Sequence, residues 1–413
     1  MLMNHPTPKD KKKMPQKLNK YSQLTLIGFS AALMGVGQNG LLVSLPFLVE
    51  RTAFNLPIWS MLIAIGSFLF LPSAPFWGRY SDKFGPKKVV LQALLGMAVS
   101  FSLLCLFAFL SNYRQEWAMV SLLGLLFARI IYGCTVAGMV PASQHWAIIL
   151  YGKNDRLQAI TTVSIGLSAG RLVGPLLSIL MLKLSPFAPL LLMIVLPCIA
   201  LLGAISLPSP KCEASEEQQK KSLSWYPPKK LLSFLLCGLF LCSAIALLQY
   251  SFSPLIFSIT SWSTEQISDS IGVLLTIRAG LTFLTQVMVI KKNKLNASVM
   301  YLYGSIALLV GFMLFLIPNI WGFVLAMAMT AIGSSLLVPA YTSVATEQQS
   351  HAPGAIAGYI SMSHTIGYSL ASLLVFSVTL DPLYPIYLCI GFSICILLTA
   401  LSVSKKGQET IRE

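Results

Sequence analysis

Apolar runs of about 20 residues, each long enough to cross ~30 Å of hydrocarbon, recur from one end of this 413-residue chain to the other. Inside lipid no water is available to the backbone, so every run must satisfy its own N–H and C=O groups, and a helix does so within one segment. Alternating strand patterns of the barrel kind are absent. The chain therefore reads as an all-helical membrane protein. Hydrophobic residues make up 55% of it and charged ones 10%, with a mean hydropathy of +0.75, which leaves too little polar surface for a soluble enzyme of this length.

The runs fall near residues 22–47, 56–77, 89–111, 117–146, 158–183 and 187–207, then 231–256, 266–290, 297–317, 320–345, 355–378 and 384–403. This predicts 12 transmembrane helices in two six-helix bundles, at 22–207 and 231–403. A tail at 1–21, a charged linker at 208–230 (Glu213, Glu216, Glu217, Lys220 and Lys221) and a tail at 404–413 complete the layout. Met139-Val140-Pro141-Ala142 in the fourth run echoes Leu337-Val338-Pro339-Ala340 at the same place in the second group, as duplication of a half would give.

The net charge of +15 could suggest a nucleic-acid partner, but its distribution excludes one. Arg51, Arg114 and Lys183 fall in odd-numbered loops, and Arg129, Arg171 and Arg278 fall inside apolar runs; the remaining lysines and arginines lie in the tails and even-numbered loops. That asymmetry is the positive-inside rule and predicts cytoplasmic termini and a cytoplasmic linker. The partner implied by the basic residues is the lipid bilayer. Cys212 is the one cysteine outside the apolar runs, so a disulfide framework is not expected. The first run lacks a small-residue cleavage site and is read as a retained span.

The loop between the second and third runs reads Gly78-Arg79-Tyr80-Ser81-Asp82-Lys83-Phe84-Gly85-Pro86-Lys87-Lys88. It resembles the loop signature of the major facilitator superfamily, with Lys83 and Lys87 where arginine is common. The glycines permit a tight turn and close helix approach. Asp82 can cap a helix or pair with a basic group across the seam between halves. Arg129-Ile130-Ile131-Tyr132-Gly133 resembles the family's R-x-x-x-G element. Gly166-Leu167-Ser168-Ala169-Gly170-Arg171-Leu172-Val173-Gly174-Pro175 is similar to the exporters' glycine-proline motif, although Ser178 and Ile179 stand where that motif has two glycines. A spacing of four places Gly166, Gly170 and Gly174 on one helix face, where backbones can pack closely.

The resemblance implies a major facilitator fold, most like the twelve-helix drug and metabolite exporters. It also implies alternating access, with Gly78, Asp82, Lys83, Gly85 and Lys88 at a cytoplasmic gate and Gly170, Gly174 and Pro175 in packing that governs the conformational change. Lys291-Lys292-Asn293-Lys294, the corresponding loop of the second half, keeps the charge and loses the glycines and the acid.

Arg129, Arg171 and Arg278 each lie about midway along a run, where a guanidinium costs at least ~2.5 kcal/mol on insertion scales. None of the fourteen acidic residues lies at comparable depth. Two readings follow. Backbone carbonyls, amides such as Gln38 and Asn39, and water can satisfy these arginines. Alternatively an organic anion, plausible as a carboxylate siderophore, carries the missing charge and binds Arg171, Arg278 and, less directly, Arg129, since guanidinium forks hold carboxylates with paired bonds.

There is no phosphate-binding Gly-x-x-x-x-Gly-Lys-Ser/Thr loop, so transport is expected to be secondary. The resemblance implies protons as coupling ion, with Asp269, Glu265, Glu50 and His364 as candidates; His364 can equally be a packing residue. No His-Glu-x-x-His, Gly-x-Ser-x-Gly or Cys/His cluster is present, so no catalytic residues, metal or cofactor are expected. The expected protein is a monomeric, multi-pass exporter of the inner membrane; uptake of the same class of anion is the alternative.

Overall fold

The structure is a computed structural model that describes residues 8–54, 56–152, 155–209, 227–262, 264–290, 295–348 and 352–412. The first half contains α1 (Pro8–Arg51), α2 (Leu56–Phe68), α3 (Phe70–Phe84), α4 (Pro86–Tyr113), α5 (Ala118–Val136), α6 (Met139–Tyr151), α7 (Arg156–Leu182) and α8 (Ala188–Ser206). The second contains α9 (Leu232–Ile259), α10 (Thr264–Thr285), α11 (Ala297–Leu314), α12 (Ile320–Gln348), α13 (Pro353–Leu374) and α14 (Tyr384–Arg412). Pairs α2/α3 and α5/α6 each make one span, giving twelve spans in two six-helix bundles.

Both breaks have the same cause. Pro72 has no N–H to offer the carbonyl four residues back, and the chain takes a turn at Leu69 between α2 and α3. Pro141 does the same for Ala137, and the fourth span breaks at Ala137 and Gly138. The second span therefore runs on to Phe84, beyond its expected end, and carries the motif loop at the tip of a helix. A five-residue π turn, Gln286–Ile290, ends the eighth span.

Among the described residues, eleven helices are long and apolar enough to cross a membrane by length and composition. The eleventh span, α13, falls outside that group because Gly354, Gly358, Ser361, Ser363, His364, Thr365 and Gly367 dilute its apolar content. It needs less apolar cover because protein surrounds it: Pro353 through Ile360 are all buried. Each half has its own core, one built from residues between Leu24 and Ala204 and one from residues between Leu231 and Ala400.

Within the first half, α1 and α7 touch backbone to backbone. A Cβ at Gly166 would stand 2.2 Å from the Gly28 carbonyl oxygen, one at Gly170 would stand 1.9 Å from that of Ala32, and one at Gly174 would stand 2.8 Å from Val36 Cα. The four-residue glycine spacing thus forms a seam that any larger residue would open. Pro175 sits inside α7, one residue past that seam. Most of the linker expected at 208–230, and the Lys291–Lys294 loop, lie outside the described residues.

Candidate functional site

The motif loop joins α3 to α4 through Gly85, whose φ of 92° is a left-handed conformation that favours glycine. This turn aims Asp82 at the other half. Its carboxylate accepts hydrogen bonds from the backbone N–H groups of Gly354 (2.8 Å) and Ala355 (2.7 Å) in the first turn of α13. Those donors have no partner within the helix, and the helix dipole adds to their pull on an anion. Of the two roles open to Asp82 in the sequence, the geometry is that of a helix cap.

The backbones must come close for this. A Cβ at Gly78 would stand 2.2 Å from the Gly354 carbonyl oxygen, and one at Gly358 would stand 2.6 Å from that of Ala74. Lys83 and Lys88 lie on the exposed rim, their ammonium groups 5.2 Å and 5.9 Å from the Phe84 ring centroid.

Sequence reading missed three neighbours of this latch. His145 Nδ1 shares a hydrogen bond with Ser81 Oγ (2.8 Å) and lies 3.5 Å from Asp82 Oδ1, bracing the carboxylate from α6. Arg156, buried at the start of α7, donates from Nη1 to the Thr346 carbonyl near the end of α12, again across the seam. Lys87 donates to the carbonyls of Ile205 and Leu207 and so caps the end of α8. Lys87 belongs to the motif loop, but its acceptors, like the partners of His145 and Arg156, are more than 60 residues away and have no local signature.

On the opposite side the halves part. The outer segment α2 packs on α1, α3 and α5 of its own half, whereas α3 packs on α13. Among the described residues, α1 and α9 scarcely meet. Among the described residues the halves are closed on the motif-loop side, where α3 and α6 pack on α13.

Between these ends lie the arginines. Arg171 on α7 is exposed and Arg278 on α10 half-buried, and the two helices pack across the seam. Each guanidinium is within electrostatic reach of the other, and both bear on Tyr368 and Cys242. Tyr368 and Cys242 share a hydrogen bond. His364 is within reach of Arg171, and its Nε2 shares a hydrogen bond with Tyr341 Oη. Arg278 Nη1 is buried with no hydrogen-bond partner among the described residues. Gly280, two residues further along α10, has open space around it. Asn39 donates to the Arg171 backbone carbonyl (2.9 Å) and holds α7 rather than the guanidinium; Gln38 stands beside it on α1, half-buried.

Arg129 is elsewhere. Its Nε donates to the Leu62 carbonyl (3.3 Å), its guanidinium lies 4.7 Å from the Tyr132 ring centroid, and it fills a niche that a Cβ at Gly66 would close. Glu50 lies at the end of α1, exposed and 3.7 Å from Arg51. The side chains of Glu265 and Asp269 are outside the described residues. Among those described, no group of His, Cys, Asp and Glu could hold a metal ion.

Two helical halves latched at one end and parted at the other, with a polar centre between them, define a multi-pass membrane transporter. The chain belongs to the Major Facilitator Superfamily, whose family model matches residues 27–372. It is 30% identical over 165 residues to the multidrug resistance protein MdtG of Proteus mirabilis, a match covering 38% of this chain and 38% of that protein. It is also 30% identical over 164 residues to the staphyloferrin B transporter of Staphylococcus aureus, covering 39% and 36%. The matched stretch is thus well under two thirds of either relative. The fold is similar to that of the E. coli fucose:proton symporter FucP, with a TM-score of 0.70 at 14% identity over 91% of this chain and 97% of that one.

Proposed function

We propose that this protein is a secondary transporter of a small organic anion, working by alternating access in the inner membrane as a monomer with both termini in the cytoplasm. One observation carries the substrate class: Arg171 and Arg278 reach the same place from opposite halves, and the groups that bear on Arg278 there are Tyr368, Cys242 and a second cation. A guanidinium stays charged, and Arg278, half-buried beside a second cation and with its Nη1 unpartnered among the described residues, is costly to leave without a counter-charge, which cargo would supply.

Asp82 and Arg156 are the cytoplasmic latch in this reading, and the state described is open to the outside. Gly78 and Gly85 give the latch its approach and turn, Lys83 and Lys88 form its rim, and Gly170, Gly174 and Pro175 shape the helix that rocks. His364, hydrogen-bonded to Tyr341 beside Arg171, is the proton-coupling candidate within the described site.

Export is the preferred direction, supported by a relative named for multidrug resistance and another named for staphyloferrin B transport; a carboxylate siderophore fits the cationic centre. Ser178 and Ile179, where the exporter motif has glycines, favour uptake as the second reading. The test is accumulation of candidate carboxylates in inside-out vesicles, with and without an imposed pH gradient, for wild type, Arg171→Ala and Arg278→Ala. Both variants should reach the membrane and lose transport. Unchanged transport in both would end the anion reading, and the sign of the gradient dependence separates export from uptake.

A further inference from the structure

We infer that the central site takes a ligand with two carboxylates, one held by Arg171 and one by Arg278, and that this ligand ties the two halves together at mid-membrane. The inference rests on the anion reading and deepens it.

α7 contributes Ala159, Ile160 and Val163 to the first core, and α10 contributes Ile267 and Leu274 to the second. The two arginines therefore belong to separately packed bodies. Their charges act on each other, on Tyr368 and on Cys242, so no intervening anion of the protein screens them among the described residues. Like charges repel, and more strongly in a protein interior than in water. On the Arg278 side that repulsion meets no protein carboxylate among the described residues, and Nη1 is buried without a partner.

A single carboxylate has two oxygens and matches one guanidinium fork. It would leave the second cation uncompensated, with Arg278 Nη1 still lacking a partner. Two carboxylates on one ligand satisfy both forks and turn repulsion between the halves into attraction through the ligand. The Tyr368 hydroxyl and Cys242 thiol beside both arginines supply neutral hydrogen-bonding groups for the ligand's remaining oxygens.

The arrangement has a signature that a structural arginine lacks. Removing either charge relieves the empty protein while destroying the site, so stability and binding move in opposite directions. The experiment is thermal unfolding of the full-length protein in lipid nanodiscs, alone and titrated with citrate, succinate, butyrate or neutral succinamide. Citrate and succinate should raise the midpoint of wild type at concentrations about tenfold or more below butyrate, and succinamide should do nothing. Arg171→Gln and Arg278→Gln should each raise the midpoint of the empty protein and bring the half-saturating succinate concentration to that of butyrate.

A lowered midpoint in the empty Gln variants, or equal responses of wild type to succinate and butyrate, would overturn the inference. Should a Gln variant fail to fold, the Lys variants keep the charge and lose the fork. They should keep the empty-protein midpoint and bind succinate about tenfold more weakly; undiminished binding would count against paired recognition. If anions are transported with no preference for two carboxylates, this inference falls and the anion reading stands. If Arg171→Ala and Arg278→Ala transport normally, the anion reading itself falls.

Discussion

Two places where the halves meet use charge in opposite ways. At the motif-loop side each charge is answered by protein groups of the other half: Asp82 by the N–H groups of Gly354 and Ala355, Arg156 by the Thr346 carbonyl and the charge of Glu347. At the centre, cation faces cation. The first arrangement is complete with protein atoms alone, so it can hold a closed state without cargo. In the proposed reading the second is completed by cargo, so its energy depends on what is bound. A transporter needs both kinds of junction, since a state must be stable enough to populate and must also respond to its ligand.

The sharpest way to break this contrast is to block the latch sterically. Gly78→Leu places a side chain where even a Cβ meets the Gly354 carbonyl oxygen at 2.2 Å. Overpacking of this kind costs about 1–3 kcal/mol or more. The closed motif-loop side should become the minor state, with transport lost and cysteines on that side labelled faster. Normal transport would remove the latch from the mechanism.

Next in size is Arg129→Gln, which empties the niche between α2 and α5 and gives up the contact with Tyr132. A loss of about 1–3 kcal/mol is expected, seen as a lower unfolding midpoint with unchanged anion affinity. Reduced affinity at unchanged stability would move Arg129 into the cargo site.

Asp82→Asn keeps an acceptor but removes the charge from the α13 N-terminus. It should weaken the latch by about 1–2 kcal/mol. Spin-label distances across the motif-loop side would report this as a broadened, longer distribution. Arg156→Gln removes one cross-half bond and should have the smallest effect, about 1 kcal/mol, additive with Asp82→Asn only if the two contacts act independently. A double variant no worse than Asp82→Asn alone would make the latch a single unit.

Much of the fold was legible because the bilayer imposes a length and a backbone requirement on every span, and both are visible in one sequence. The breaks at Leu69 and Ala137 were present too, in Pro72 and Pro141, but a continuous apolar run hides a missing hydrogen bond. The motif loop announced Asp82 and left its partner open, because Gly354 lies 272 residues away and donates through its backbone. Backbone donors carry no residue type for a reader to notice. The same holds for Arg156 and Lys87, whose acceptors are carbonyls. The three arginines at mid-span looked alike in sequence. Their separation into a packed niche for Arg129 and a facing pair for Arg171 and Arg278 depends on helix rotation, which periodicity in a uniformly apolar run does not fix.

The seam between α1 and α7 has a mechanical consequence. With Gly166, Gly170 and Gly174 pressed onto the backbone of Gly28, Ala32 and Val36, α7 has no slack along α1, and Arg171 lies within that clamped stretch. Across from it, Arg278 precedes the roomy Gly280 and a helix that ends in a π turn, a geometry able to shift register by one residue. In the proposed reading Arg171 is thus held by the backbone seam with α1, whereas Arg278 stands on a helix without such a seam around Gly280.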